Sequence, residues 1–174
     1  MLYDVLSACL PVGRTLLVTD PGAEAAQAAA GALDVEVIAD PGKGQGDAVA
    51  AALAHADEGS VVVVNADVPC ATSRDVFALL GAMPAGGMAL VRAEDGTTNA
   101  LALAAGWLFA PLYGPGSADR FAERAHRLGV DAVEVDLPNL ADDVDDLADL
   151  EQIEDRLGPW SAASLRALRA PLTQ

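Results

Sequence analysis

Basic residues are scarce in this chain of 174 residues. One lysine, Lys43, and nine arginines face 26 acids, for a net charge of -16. A phosphate backbone or an anionic membrane needs a basic face, so nucleic-acid and membrane binding are excluded as the main task. Aromatics make up only 4% of the residues, so the core must be built from Val, Leu and Ala. Two cysteines, Cys9 and Cys70, lie far apart and have no metal-type spacing partner; they read as reduced core residues of a cytoplasmic protein. No apolar run approaches the ~18 residues of a membrane span, and no basic-plus-apolar leader opens the chain. The serine-nucleophile elbow and the P-loop are missing too: no Ser or Thr follows Lys43. His55 and His126 have no partner histidine and read as surface or packing residues.

What is present is 52% hydrophobic, enough for one domain with a real core. Apolar spacing predicts a helix over residues 2–10. Short apolar runs at 15–20, "TLLVTD", and 35–40, "VEVIAD", read as strands. "SVVVVNAD", 60–67, has the unbroken β-branched character of a strand buried on both faces. Helices are expected at 23–33, behind the loop "GKGQGD", and over "TSRDVFALLGAM", where Thr72 and Asp75 form a capping box. "GMALVRA" and "ALALAA" read as strands around a "DGTTN" turn. "SADRFAERAHRLG" is an amphipathic helix stopped by Gly129. A strand "AVEVD", a long helix over 146–158 and a short terminal helix at 161–169 complete the pattern. Strands alternating with helices give an α/β class with a mostly parallel mixed sheet in one domain, 1–174, with 158–174 as a helical tail. In such sheets ligands sit beyond the carboxyl ends of the strands.

Asp67 falls just past the end of the "VVVV" strand, in "NADVP", where a carboxylate would enter that crevice. The run "LADDVDDLADL", 140–150, packs five aspartates into eleven positions. Asp143 and Asp145 are one residue apart, so in an extended segment they share a face, while Val144 points to the core. Asp146 caps the helix that follows, and Asp149 lies in its first turn. The run is not an EF-hand loop, because Ala148 replaces the required glycine. Mg2+ is held by one or two carboxylates plus substrate phosphates, and Asp67, Asp143 and Asp145 would make such a site; a solvated acidic helix start is the plainer alternative for the run. "YGPGSADRF" sets Gly114, Gly116 and Ser117 before a helix, where free N–H groups bind anions, or where a serine merely caps. Gly44, Gln45 and Gly46 form a loop that would let backbone approach a nucleotide, or a plain surface turn.

"NADVP", "TTNALAL", "GPGSADRFAERAHRLG" and "LADDVDDLADL", in this order, resemble the 2-phospho-L-lactate and phosphoenolpyruvate guanylyltransferases of coenzyme F-420 biosynthesis. The likeness covers nearly the whole chain to about residue 155. It implies a nucleotidyltransferase fold with a glycosyltransferase-A-like sheet, and an enzyme that joins GTP to a small phosphorylated three-carbon acid with release of pyrophosphate. It implies that Asp67, Asp143 and Asp145 hold Mg2+ and carry catalysis. Thr98, Gly114 and Ser117 would bind the acid, and Gly44, Gln45 and Gly46 the nucleotide. The loop departs from the family's usual Gly-Leu-Asn. The family also begins with a central strand and a basic loop ahead of the segment seen here at 1–10. The chain is therefore expected to be incomplete at its N-terminus, with a strand missing between 15–20 and 60–67; Lys43, Arg74 and Arg92 are the bases left for a triphosphate. Other readings are a nucleotidyltransferase of a molybdenum cofactor or a sugar phosphate, and a non-catalytic nucleotide- or phosphoacid-binding domain. Whether the chain pairs as a homodimer is left open.

Overall fold

The structure is a computed structural model and describes residues 1–170. It opens with α1 (Leu2–Cys9), followed by β1 (Leu16–Thr19), α2 (Glu24–Ala32), β2 (Glu36–Ala39), α3 (Gln45–Leu53) and β3 (Val61–Val64). The second half adds α4 (Ser73–Ala82), β4 (Met88–Arg92), β5 (Thr98–Leu103), α5 (Ser117–Leu128), β6 (Ala132–Glu134), α6 (Pro138–Ala141), α7 (Leu147–Gln152) and α8 (Pro159–Arg169).

The strands form two separate sheets. β1 and β2 pair in parallel, as a βαβ unit with α2 as its crossover. The larger sheet runs β3-β5-β4-β6. β5 is antiparallel to both β3 and β4, and β6 is parallel to β4. The fold is therefore α/β with a mixed sheet, its four pairings evenly divided.

β4 and β5 hold the centre. Every residue of β5 is buried, as are the first four of β4. One face packs Val76 and Leu79 of α4 against Ala89, Val91, Ala100 and Ala102. The other packs Phe121 and Ala118 of α5 against Met88, Leu90, Leu101 and Leu103. Alternation along each strand sends successive side chains to opposite clusters.

β3 corrects one expectation. Its four valines are only half-buried, although the β-branched run predicted burial on both faces. The physical reason is lateral: β5 covers one edge, and among the described residues no strand lies beside the other. β1 and β3 do not pair with each other. Between them lies a cavity of about 490 Å³, lined by β1 and β3, by Leu2, Val5 and Leu6 of α1, and by Val49 of α3.

The C-terminal helices also differ from expectation. The predicted long helix over 146–158 is broken: α7 ends at Gln152, a single 3-10 turn follows over Glu154–Arg156, and α8 begins at Pro159. Proline suits the first turn of a helix, where its missing N–H costs nothing. Residues 159–169 of the predicted tail are helical, and its last four residues lie outside those described.

Asp4 ties α8 to the beginning of the chain. Its carboxylate, 3% exposed, accepts the N–H groups of Trp160 at 3.0 Å and Ser161 at 2.7 Å, and the Ser161 hydroxyl at 2.6 Å. A buried carboxylate is tolerated because three donors surround it at a helix N-terminus. Tyr3 stacks on Trp160 beside it, with ring centroids 4.7 Å apart. Cys9 and Cys70 are both free, and burial pushes each thiol up to about 11, so neither is a thiolate at neutral pH.

Candidate functional site

Residues 65–69 follow β3 as a turn. The Asn65 N–H donates to the Asn99 carbonyl at 2.9 Å, which carries the sheet pairing one residue past β3. The chain then leaves the sheet, and Asp67 projects from the turn. Its carbonyl accepts the N–H of Val144 at 3.0 Å. That bond fastens the 142–146 segment directly across from Asp67. Val144 points inward and is buried with Cys70, Leu150 and Ile153, as the i, i+2 pattern predicted. Asp143 and Asp145 therefore flank the attachment point on the other face.

The electrostatics agree with this placement. Burial raises the Asp67 carboxyl above the usual range, and the charges of Asp143 and Asp145 raise it further. One of its carboxylate oxygens is buried and has no hydrogen-bond partner. Three carboxylates thus share one small region, and an acceptor among them is unsatisfied. A divalent cation would remove both defects. Among the described residues, no three acidic, His or Cys side chains close into a ready-made cage. The arrangement fits an ion that completes its shell with water or ligand oxygens, as Mg2+ does.

Their acidic neighbours do other work. The Asp146 carboxylate accepts the N–H groups of Ala148 and Asp149, and the Asp149 carboxylate accepts those of Asp145 and Asp146. This is a reciprocal capping box at the start of α7. Asp142 pairs with Arg156. Of the five aspartates between 140 and 150, three are accounted for by local structure, and the remaining two, Asp143 and Asp145, lie near enough to Asp67 for their charges to raise its carboxyl.

The glycine-rich loop 42–46 borders the same region. Gly44, at φ +97°, precedes α3, a conformation that favours glycine. Gln45 donates to the Asn65 side-chain oxygen at 2.6 Å. A Cβ on Gly46 would lie 2.6 Å from Pro111, so only glycine lets this loop sit against the 110–116 segment. The Gln45 bond to Asn65 ties the loop expected to meet the nucleotide to the turn that carries Asp67.

Thr98 and Ser117 meet: the Ser117 hydroxyl donates to that of Thr98 at 3.1 Å. Ser117 opens α5, as predicted, and Gly114 and Gly116 precede it with φ of +106° and +69°. Both hydroxyl residues are at most 1% exposed. The α5 terminus already satisfies part of its own demand, since the Ser117 N–H donates to Gly114 and that of Ala118 to Gly96. Asp119 sits in its first turn and pairs with Arg92 at 2.6 Å.

Two arginines on α5 shape this loop, and sequence reading passed over both. Arg120 donates to the carbonyls of Leu112, Tyr113, Gly114 and Pro115. Arg124 does the same for Trp107, Leu108 and Phe109. A guanidinium fork saturated by carbonyls turns the carbonyl side of a loop toward itself and leaves the amide side for something else. Their spacing of four on a helix was the available signal. Asn99 was likewise not singled out; it donates to Asp143 at 3.2 Å. Of the three bases proposed for a triphosphate, Arg92 is engaged by Asp119 and Glu134. Among the described residues Lys43 and Arg74 have no carboxylate partner within salt-bridge distance.

A mixed α/β sheet with carboxylates gathered beyond its strand ends and a glycine-rich loop beside them is the architecture of a nucleotidyltransferase. Solved structures agree on the fold. A 4-diphosphocytidyl-2C-methyl-D-erythritol synthase superposes with a TM-score of 0.68 at 19% identity, covering 87% of both chains. A nucleotidyl transferase from Methanothermobacter thermautotroptrophicus gives 0.68 at 16% identity, covering 88% of this chain and 77% of that one. Residues 1–133 match the MobA-like NTP transferase domain. A phosphoenolpyruvate guanylyltransferase of Streptomyces scabiei is 33% identical over 176 residues, 95% of this chain and 79% of the relative. One of Roseiflexus castenholzii is 37% identical over 117 residues, 66% of this chain. That match spans about half of the relative, 53% of its length. The chain belongs to the MobA-like NTP transferase domain family, among the phosphoenolpyruvate guanylyltransferases.

Proposed function

We propose that this chain is a guanylyltransferase. It joins GTP to phosphoenolpyruvate or 2-phospho-L-lactate and releases pyrophosphate, a step of coenzyme F-420 biosynthesis carried out in the cytoplasm. The observation that carries the reading is that the charges of Asp143 and Asp145 raise the Asp67 carboxyl, whose turn also accepts a hydrogen bond from Gln45; the relatives named phosphoenolpyruvate guanylyltransferase support GTP as the nucleotide and phosphoenolpyruvate as an acid. An oxygen of the acid's phosphate attacks the α-phosphorus of GTP. The bond from that phosphorus to the bridging oxygen of the β-phosphate breaks, and pyrophosphate leaves. The three carboxylates would hold Mg2+, which when bound neutralises charge on the attacking and leaving oxygens.

The remaining residues bind and orient. Gly44, Gln45 and Gly46 present backbone and one amide to the nucleotide, with Lys43 as the free positive charge of that loop. Gly114 supplies the amide side of the clamped loop to the acid. Thr98 and Ser117, at most 1% exposed and bonded to each other, brace that loop in place of the direct contact with the acid that the resemblance implied. The test is direct: incubate the protein with Mg2+, each of GTP, ATP and CTP, and each acid, and measure pyrophosphate. Release is expected with GTP and one of the two acids only. Equal release with CTP or ATP, or release that ignores the acid, would refute this assignment.

A further inference from the structure

Asp143 is not oriented by its own loop. One carboxylate oxygen accepts an N–H from the Asn99 side chain at 3.2 Å, and the other N–H of that amide goes to the Ala141 carbonyl at 3.0 Å. The Asn99 side-chain oxygen accepts from the Asn65 amide at 3.1 Å. The Asn65 side-chain oxygen accepts from the Gln45 amide at 2.6 Å. Three amides thus connect the glycine-rich loop to a carboxylate of the acidic cluster.

The chain can run in one direction only. An ionised carboxylate and a carbonyl both accept, so Asn99 must turn its NH2 group toward Asp143 and Ala141. Its oxygen then faces Asn65, which must donate. The Asn65 oxygen in turn faces Gln45, which must donate as well. The polarity is set at the carboxylate and carried outward to the loop.

Strand pairing does not need these side chains. The backbone bond between Asn65 and Asn99 already joins β3 to β5. Asn99 is 1% exposed, and an apolar residue of its size would fill the space without the cost of burying an amide. What the amides add is orientation.

We propose that Asn99, Asn65 and Gln45 form a one-way hydrogen-bond relay that holds Asp143 toward Asp67 and couples cation affinity to the glycine-rich loop. The inference rests on the reading of the three aspartates as a cation site. Asn99 acts on the cation through Asp143 and is a positioning residue. By linkage, whatever orders Gln45 tightens the cation, and the cation tightens whatever binds at the loop by the same factor.

The test is Mn2+ binding, followed by its electron paramagnetic resonance signal, with a thermal melt of each protein. Wild type is compared with Asn99→Ala, Asn65→Ala, Gln45→Ala, Asp143→Asn and the double variant Asn99→Ala/Asp143→Asn. Loss of an outer partner of a metal ligand weakens binding about 10- to 100-fold. Asn99→Ala should fall in that range, Asn65→Ala should lose less, and Gln45→Ala least but still measurably. In the Asp143→Asn background, Asn99→Ala should cost nothing further. Mn2+ affinities equal to wild type in Asn65→Ala and Gln45→Ala would overturn the relay, even if Asn99→Ala did not fold. So would a melting-temperature loss in Asn99→Ala with unchanged affinity. Equal Mn2+ binding by wild type and Asp143→Asn would instead remove the cation site itself and the relay with it.

Discussion

Asp67 carries the sharpest local conflict in the molecule: a buried oxygen without a donor, beside two further negative charges. Without a cation this arrangement costs stability, because both burial and like charge oppose ionisation. Asp67→Asn is therefore expected to raise the melting temperature of the cation-free protein by about 2–4 °C, since about 1 kcal/mol moves a domain of this size by that much. The same change should reduce pyrophosphate release at least ~100-fold, a typical loss when one charge-stabilising group is removed. Calorimetry and the pyrophosphate assay on one preparation read both. A variant that melts lower without losing activity would mean that Asp67 is structural. Among the described residues the Tyr113 hydroxyl is the second buried side-chain polar group without a partner, set among the rings of Phe109 and Phe121, and burial raises its pKa. Tyr113→Phe should be neutral or stabilising by up to about 1 kcal/mol in a denaturant melt, because an unsatisfied hydroxyl is removed. At this scale the sequence was legible where spacing carries the meaning. The separation of Asp143 from Asp145 and the cap at Asp146 could be read directly. Asn65 and Asn99 could not, because their roles depend on a pairing between β3 and β5 that joins positions 34 residues apart.

Elements were legible in the same measure. Regular strands and helices followed from apolar periodicity, and α4 starts at the capping box its sequence announces. The stretch 146–158 failed because leucine spacing continues through it while the backbone breaks after Gln152. Arg156 is drawn to Asp142 and Asn139 there, a tertiary attraction that local propensity does not record. α8 depends on Asp4 in a comparable way. Asp4→Ala removes three hydrogen bonds to one carboxylate and leaves the start of α8 without acceptors, at a cost of about 2–4 kcal/mol. The expected signature is rapid proteolysis within α8 while β4 and β5 keep slow amide exchange; uniform protection across α8 would contradict it. α5 invites the opposite experiment. Arg120→Ala should leave the helix intact but loosen the 112–115 loop, raising KM for the acid about tenfold with little change in kcat, as expected when ground- and transition-state binding fall together. If the 112–115 carbonyls matter only for folding, KM will stay put while the melting temperature falls.

The whole molecule is defined by the space between its two sheets. Among the described residues β1 and β3 each leave one edge without a strand, and Gln45 and Asn65 help line the cavity between them. Unpaired edges facing an apolar space cost free energy when dry and invite pairing when open. The α/β class was legible from the alternation of elements. The half-exposure of β3 was not, because a run of valines reads the same whether or not a neighbour arrives. An apolar strand and short loop fused ahead of Met1 is expected to enter this space, slow amide exchange in β1 and β3, and raise the melting temperature; unchanged exchange in both strands would show that the cavity does not accept a strand. The turn that borders this cavity at Asn65 and Ala66 goes on to carry Asp67 of the acidic cluster. The most direct test of that cluster is an anomalous-scattering crystal structure with Mn2+ and a non-hydrolysable GTP analogue. A manganese peak coordinated by Asp67 together with Asp143 or Asp145 is expected, with the analogue's phosphates completing the shell. A peak elsewhere on this acidic surface, with nucleotide bound and these three carboxylates free of metal, would contradict the cation site.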